Sequence, residues 1–333
     1  MRPSLLPVLK NFLQNRKMRV KWHEKLSSLR NLNGGGPQGG TLGIWEYLSL
    51  TNDNLEFVNG DSKFKFVDDA FVLEIINILS VGLATYNIRN QIPSNIPSHN
   101  QIIPREHLQS QIYLETLKKW SDEKKMILNL DKTKVIIFNF SKEKQFTVSL
   151  KINEKTIEVV NEVKLLGTII TSDLKWDKNI NEIIRRCNIR MTLLRKLVEF
   201  RPKIDDMKII YMAYIISVAE QSCQVWHFSL SQENCEDIER IQKNACKIIL
   251  GSKYENYENA LNILNLEDLK SRRERLCKQF AEKCIENEKT KNMFPKNTNL
   301  RKTYKSEEFK VQFARTERLK CSSIPQMQRQ LNN

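Results

Sequence analysis

Phe66-Val67-Asp68-Asp69 sets two carboxylates side by side inside an apolar run that extends from Phe64 to Ile76. Charge in such a place is costly unless something cationic meets it. Hard oxygen ligands suit Mg²⁺ or Mn²⁺. In two-metal phosphoryl transfer, carboxylates hold ions about 3.5–4 Å apart that serve the attacking and leaving oxygens. A solvated turn accounts for the same dipeptide, because Asp is a favoured turn residue. A second candidate lies upstream, where six of the ten glycines fall between Gly34 and Gly43. This segment has neither the Gly-Lys-Ser/Thr ending of a Walker loop nor a Gly-x-Gly-x-x-Gly pattern. It does contain Gly35-Gly36-Pro37-Gln38-Gly39, ahead of a helical stretch.

The elements that must position these groups differ between the two halves of the chain. Leu5–Gln14 has helical apolar spacing, Met18–Trp22 alternates like a short strand, and Leu42–Leu50 reads as a helix capped by Gly40 and Thr41. Phe64–Ile76 reads as strand, tight turn, strand, with the aspartates at the turn. Residues 91–104 carry three prolines and form a surface loop. Leu108–Met126 is an amphipathic helix, and Lys134–Phe140, Phe146–Ile152 and Glu162–Ile170 are strands. Beyond Trp176, helical spacing dominates in Ile180–Phe200, Asp205–Glu220, Cys235–Leu250 and Leu266–Ile285, with Pro202 breaking the first from the second. The fold class is therefore α+β, with a boundary near residue 175. Residues 290–333 are polar and basic and read as a flexible tail.

Five blocks follow one another in order. They are Gly35–Gly39, Phe66–Asp69, Trp120 with Met126-Ile127-Leu128-Asn129-Leu130-Asp131-Lys132-Thr133-Lys134, Val163–Gly167, and Asp173-Leu174-Lys175-Trp176. In these blocks the chain resembles the reverse transcriptases of non-LTR retrotransposons, the Jockey-like group in particular. The helical stretches Tyr211–Trp226 and Ile238–Gly251 look like that family's thumb and post-thumb. The resemblance implies a partial polymerase palm, an antiparallel sheet with helices, over 1–175. A helical thumb and post-thumb region follow over 176–289, then the tail at 290–333.

It also implies roles. Asp68 is the principal metal ligand and Asp69 its neighbour, and together they carry catalysis with two Mg²⁺ or Mn²⁺ ions. Pro37, Gln38 and Gly39 line the nucleotide and template pocket. Lys132 and Lys134 are both candidates for neutralising phosphate, and spacing leaves open which faces the site. Leu166 and Gly167 belong to the primer grip. The implied partners are an RNA template, a DNA primer and deoxynucleoside triphosphates.

Two departures from the family pattern stand out. Val67 replaces the commoner Ala, a modest change between small apolar residues. More consequential is a third carboxylate, which the family draws from an upstream Phe-Asp-x-x-x-Ala-Phe-Asp block. The first 45 residues here contain no aspartate, and their one acid, Glu24, sits in an unrelated basic segment. The expectation is an N-terminally truncated RNA-directed DNA polymerase with little activity alone. The alternative is a nucleic-acid-binding module without catalysis, gripping phosphate through Arg185, Arg186, Arg190, Arg195, Lys196, Arg272, Arg273 and Arg275. In a third reading, those cations are solvated helix faces of an interaction protein.

Composition fits these readings. Lys and Arg outnumber Asp and Glu 54 to 39, for a net charge of +15. The excess sits at the two ends, with +7 in residues 1–30 and +5 in residues 301–333. No apolar stretch reaches the roughly 20 residues of a membrane span. The basic, proline-containing start lacks the apolar core of a signal peptide. Seven cysteines form no Cys-x-x-Cys pair, so buried thiols in a reducing compartment are expected. The protein reads as intracellular, nuclear or cytoplasmic, and not secreted.

Overall fold

The computed structural model describes residues 14–32, 63–66, 69–74, 100–103, 108–140, 145–297 and 308–332, together with residues 7, 11 and 51. The chain divides into two compact units, one of residues 1–133 and 143–158, the other of 134–142 and 159–333. Among the described residues strands pair only in twos, so the architecture is helices with small sheets, an α+β mixture. The expected loop at 91–104 lies outside the described residues except for Asn100–Ile103, which is strand. The helices expected at Leu5–Gln14 and Leu42–Leu50 also lie almost wholly outside them.

In the first unit, β1 (Lys17–Met18) pairs antiparallel with β4 (Arg30–Asn31), and β2 (Lys21–Trp22) with β3 (Lys25–Leu26). Ser27 stitches the two pairs together, with its N–H donating to Val20 O at 2.9 Å and its hydroxyl accepting from Val20 N at 2.8 Å. β5 (Lys63–Phe66) and β6 (Asp69–Val72) form the expected antiparallel pair. β7 (Asn100–Ile103) runs parallel to β8 (Gln145–Val148), which an all-antiparallel sheet did not foresee. β9 (Lys151–Ile152) and β10 (Lys155–Thr156) form another hairpin.

The helix expected at Leu108–Met126 is α1 (Gln109–Glu123). Its start is closed by a remote acid. Glu74 accepts from the N–H groups of Gln109 at 3.0 Å and Ser110 at 2.9 Å, placing a carboxylate on the positive end of the helix dipole. Gln111 fastens α1 to β9, accepting from Lys151 N at 2.9 Å and donating to Lys151 O at 2.8 Å.

In the second unit, β11 (Glu162–Leu165) and β12 (Thr168–Thr171) form a hairpin followed by the helices. α2 is Asp177–Val198, and α3 (Ile204–Ile210) continues through a π turn, Tyr211–Ile216, to Ala219. Then come α4 (Gln232–Leu250), α5 (Tyr257–Leu264), α6 (Leu269–Glu286) and, near the C-terminus, α7 (Ser323–Leu331). α2 buries Ile180, Ile183, Cys187, Met191 and Leu194, the three- and four-residue spacing of one helix face. Asp177 in its first turn and Arg195 and Lys196 in its last suit the helix dipole. The core these residues build includes Tyr211, Trp226, Ile238, Ile241 and Ala245. Ile170 of β12 packs against that core, so this hairpin belongs with the helices that follow it.

The expected flexible tail is partly a packed element. Phe309 and Met327 bury with Cys277, Ala281, Cys284 and Phe294 in a second cluster. Asn332 bonds both backbone groups of Phe309 at 2.9 Å. A few apolar side chains suffice once α6 offers them a surface, which average composition does not register. Five of the seven cysteines are buried, as small apolar groups. No helix among the described residues is long and apolar enough to cross a membrane.

Candidate functional site

The best-defined of the expected site residues form the turn Leu166–Gly167. Leu165 pairs with Thr168, so two residues connect the strands. Both have positive φ, 47° at Leu166 and 87° at Gly167, as a type I′ turn requires. Glycine takes that conformation without strain, whereas leucine does not. Leu166 is 48% exposed at the tip. The hairpin behind it is fixed by Asn179 of α2, whose buried side chain accepts from Ile169 N at 3.0 Å.

A residue with no signature in the sequence holds the turn itself. Gln221 lies between the end of the π-containing helix and the short helix Cys223–Trp226. Its Nε2 donates to Leu166 O at 3.3 Å, and its Oε1 accepts from Arg186 Nη1 at 2.8 Å. Its own carbonyl accepts from the indole N–H of buried Trp226 at 3.0 Å. Beside it, Glu220 pairs with Arg272. Burial pushes the Glu220 carboxyl up, opposed by Arg272. A Cβ built on Gly167 would collide with Gln221 Nε2. Gly167→Ala should therefore cost about 1–3 kcal/mol, from left-handed backbone strain plus displacement of Gln221. Denaturant midpoints check this, and an unchanged midpoint would refute the turn geometry.

The π turn adds a neighbouring feature. It frees carbonyls from the helical ladder, and Arg190 donates to Tyr214 O while lying 4.4 Å over the Tyr214 ring. Arg185 pairs with Glu182 at 2.7 Å, and Arg275 with Glu267 at 3.0 Å. Arg273, expected among the phosphate-gripping cations, is fully buried against Trp226 and His227. It is a core residue, because it lies on the buried face of α6 in line with Leu269, Cys277 and Ala281.

The other expected residues are placed as follows. Pro37, Gln38, Gly39 and Asp68 lie outside the described residues. Asp69 is exposed at the start of β6, paired with Phe66. Lys132 is exposed in the turn after α1, where its N–H donates to Asn129 O at 3.2 Å. Lys134 is exposed at the start of the strand Lys134–Ile136, in the other unit. Among the described residues no group of three His, Cys, Asp or Glu converges as a metal site. The donor chemistry of Asp69 and its neighbour in sequence, Asp68, nonetheless fits a hard divalent ion.

Over 253 residues the sequence is 21% identical to the probable RNA-directed DNA polymerase from transposon X-element of Drosophila melanogaster, covering 74% of this chain and 25% of that protein. It is similar to transposon RNA-directed DNA polymerases. A second such relative, from transposon BS of the same fly, is 24% identical over 253 residues, covering 74% of this chain and 26% of the relative. The resemblance to retrotransposon reverse transcriptases carried by the ordered blocks is supported by both relatives. The chain spans about a quarter of the length of these polymerase relatives. No family model matches the sequence, and no solved structure matches it.

Proposed function

We propose that this chain is reverse-transcriptase sequence of a Jockey-like non-LTR retrotransposon, built for contact with an RNA template and a DNA primer. What carries the reading is the similarity to two transposon polymerases over 253 residues, in a chain that also holds the polymerase blocks in order. Residues 1–175 contribute to a palm and the helices from α2 onward to a thumb. Asp69, at the start of β6, and Asp68, its neighbour in sequence, hold Mg²⁺ or Mn²⁺. Such ions stabilise the charge that develops as a phosphoryl group transfers. Pro37, Gln38 and Gly39 face template and nucleotide, Lys132 or Lys134 neutralises phosphate, and Leu166–Gly167 contacts the primer. Two adjacent carboxylates without a third from an opposing segment bind metal weakly and position it poorly. The 333 residues alone are therefore impaired in synthesis while still binding nucleic acid.

The test measures binding of a DNA primer annealed to an RNA template across a salt series, together with primer extension in Mg²⁺ or Mn²⁺. Salt-dependent binding that survives Asp68→Ala, with extension near background, is the expected result. Robust extension lost in Asp68→Ala would keep the metal site and overturn the impairment. Absence of binding at low salt would sink the whole reading and leave an interaction protein with solvated basic faces.

A further inference from the structure

The Leu166–Gly167 turn carries an exposed apolar tip in a conformation that leucine resists. The regular pairing of the strands on either side, closed by only two residues, requires it. What holds the Leu166 carbonyl at that turn is a contact from 55 residues away, the Gln221 side chain. A primary amide is suited to this place. Its N–H end donates to Leu166 O while its oxygen accepts from Arg186, so the guanidinium fixes which way the amide faces. The backbone of Gln221 is anchored by the buried Trp226. Gly167 leaves the room that the amide needs.

We infer that Gln221, oriented by Arg186, is a positioning residue that presents the Leu166–Gly167 turn to the primer strand. This rests on the reading that the turn contacts the primer. Gln221 itself touches no nucleic acid in this arrangement. It acts by holding the Leu166 carbonyl, and with it the tip, in one orientation.

Two variants of the full chain separate the possibilities. Gln221→Glu keeps an acceptor for Arg186 but cannot donate to Leu166 O. Gln221→Met is neutral, similar in length, and can neither donate nor pair with the guanidinium. The probe is a fluorescent DNA primer on an RNA template, with thermal melting measured in parallel. Both variants should melt within a few degrees of the parent and raise the Kd roughly three- to tenfold, the scale of one lost hydrogen bond. Unchanged affinity in both overturns the inference, as does weakening in Gln221→Glu alone, which is a charge effect. A fall in affinity that tracks a large loss of melting temperature also overturns it, because the role is then structural. A parent chain that fails to bind the probe instead removes the functional reading on which the inference stands.

Discussion

Replacing Gln242 by leucine lowers the stability of the helical unit by about 2–4 kcal/mol. Gln242 is fully buried on α4 and joins three segments of the unit. It accepts from Tyr211 Oη at 2.9 Å, and its Nε2 donates to Glu267 O at 2.9 Å and to Tyr257 Oη at 3.1 Å. Tyr257 passes the chain on by donating to Glu239, which also accepts from Leu269 N at 3.2 Å. Burial pushes both phenols up, so each remains a protonated donor. Leucine fills a similar volume but strands the Tyr211 hydroxyl and the Glu267 carbonyl away from water, at about 1–3 kcal/mol each. Denaturant unfolding measures the loss. Tyr211→Phe in the same background removes one stranded group, so the double variant should lose less than the sum of the singles. A Gln242→Leu protein as stable as the parent would contradict the network.

The second large effect is an acid-side loss of stability through His227. Its ring is buried, and Nδ1 accepts from Arg273 Nε at 3.3 Å. Burial, then the positive charges of Arg273 and Lys270, push its pKa from 6.5 down to about 4. Glu274 stands 3.9 Å from Nε2 on the other side of the ring. The folded state keeps His227 neutral where the unfolded chain takes up a proton. Its contribution is therefore complete above pH 6.5 and is lost as pH falls toward 4. At about 1.4 kcal/mol per pKa unit, roughly 3 kcal/mol is at stake.

Glu220, raised by burial, titrates in the opposite sense and is present in parent and variant alike. The difference between the parent and His227→Gln isolates the imidazole, and glutamine can still accept from Arg273. The parent should lose about 2–3 kcal/mol relative to the variant between pH 7 and pH 4. Parallel curves would show that His227 is not held neutral. Arg273 is itself poorly satisfied, since Nη1 and Nη2 are buried without hydrogen-bond partners among the described residues. The guanidinium thus lowers the imidazole pKa while gaining little hydrogen bonding of its own.

Much of this protein was legible in one dimension, because some forces are local. The spacing of Ile180, Ile183, Cys187, Met191 and Leu194 specifies a buried helix face whatever it packs on. Pro202 separates α2 from α3 because its ring cannot continue a helix. Phe64–Ile76 carried its antiparallel pairing in its residue types. The ordered blocks pointed to transposon polymerases, and two such relatives agree. What remained hidden depends on residues far apart. Arg273 has the composition of a solvated helix face, yet it is interior. Gln221 reads as an ordinary polar residue until Arg186 and Leu166 reach it. The C-terminal residues look too polar to fold until α6 supplies the other half of their core. Periodicity and turn chemistry are written along the chain. Burial of a polar group and satisfaction of its hydrogen bonds are decided only when distant segments meet.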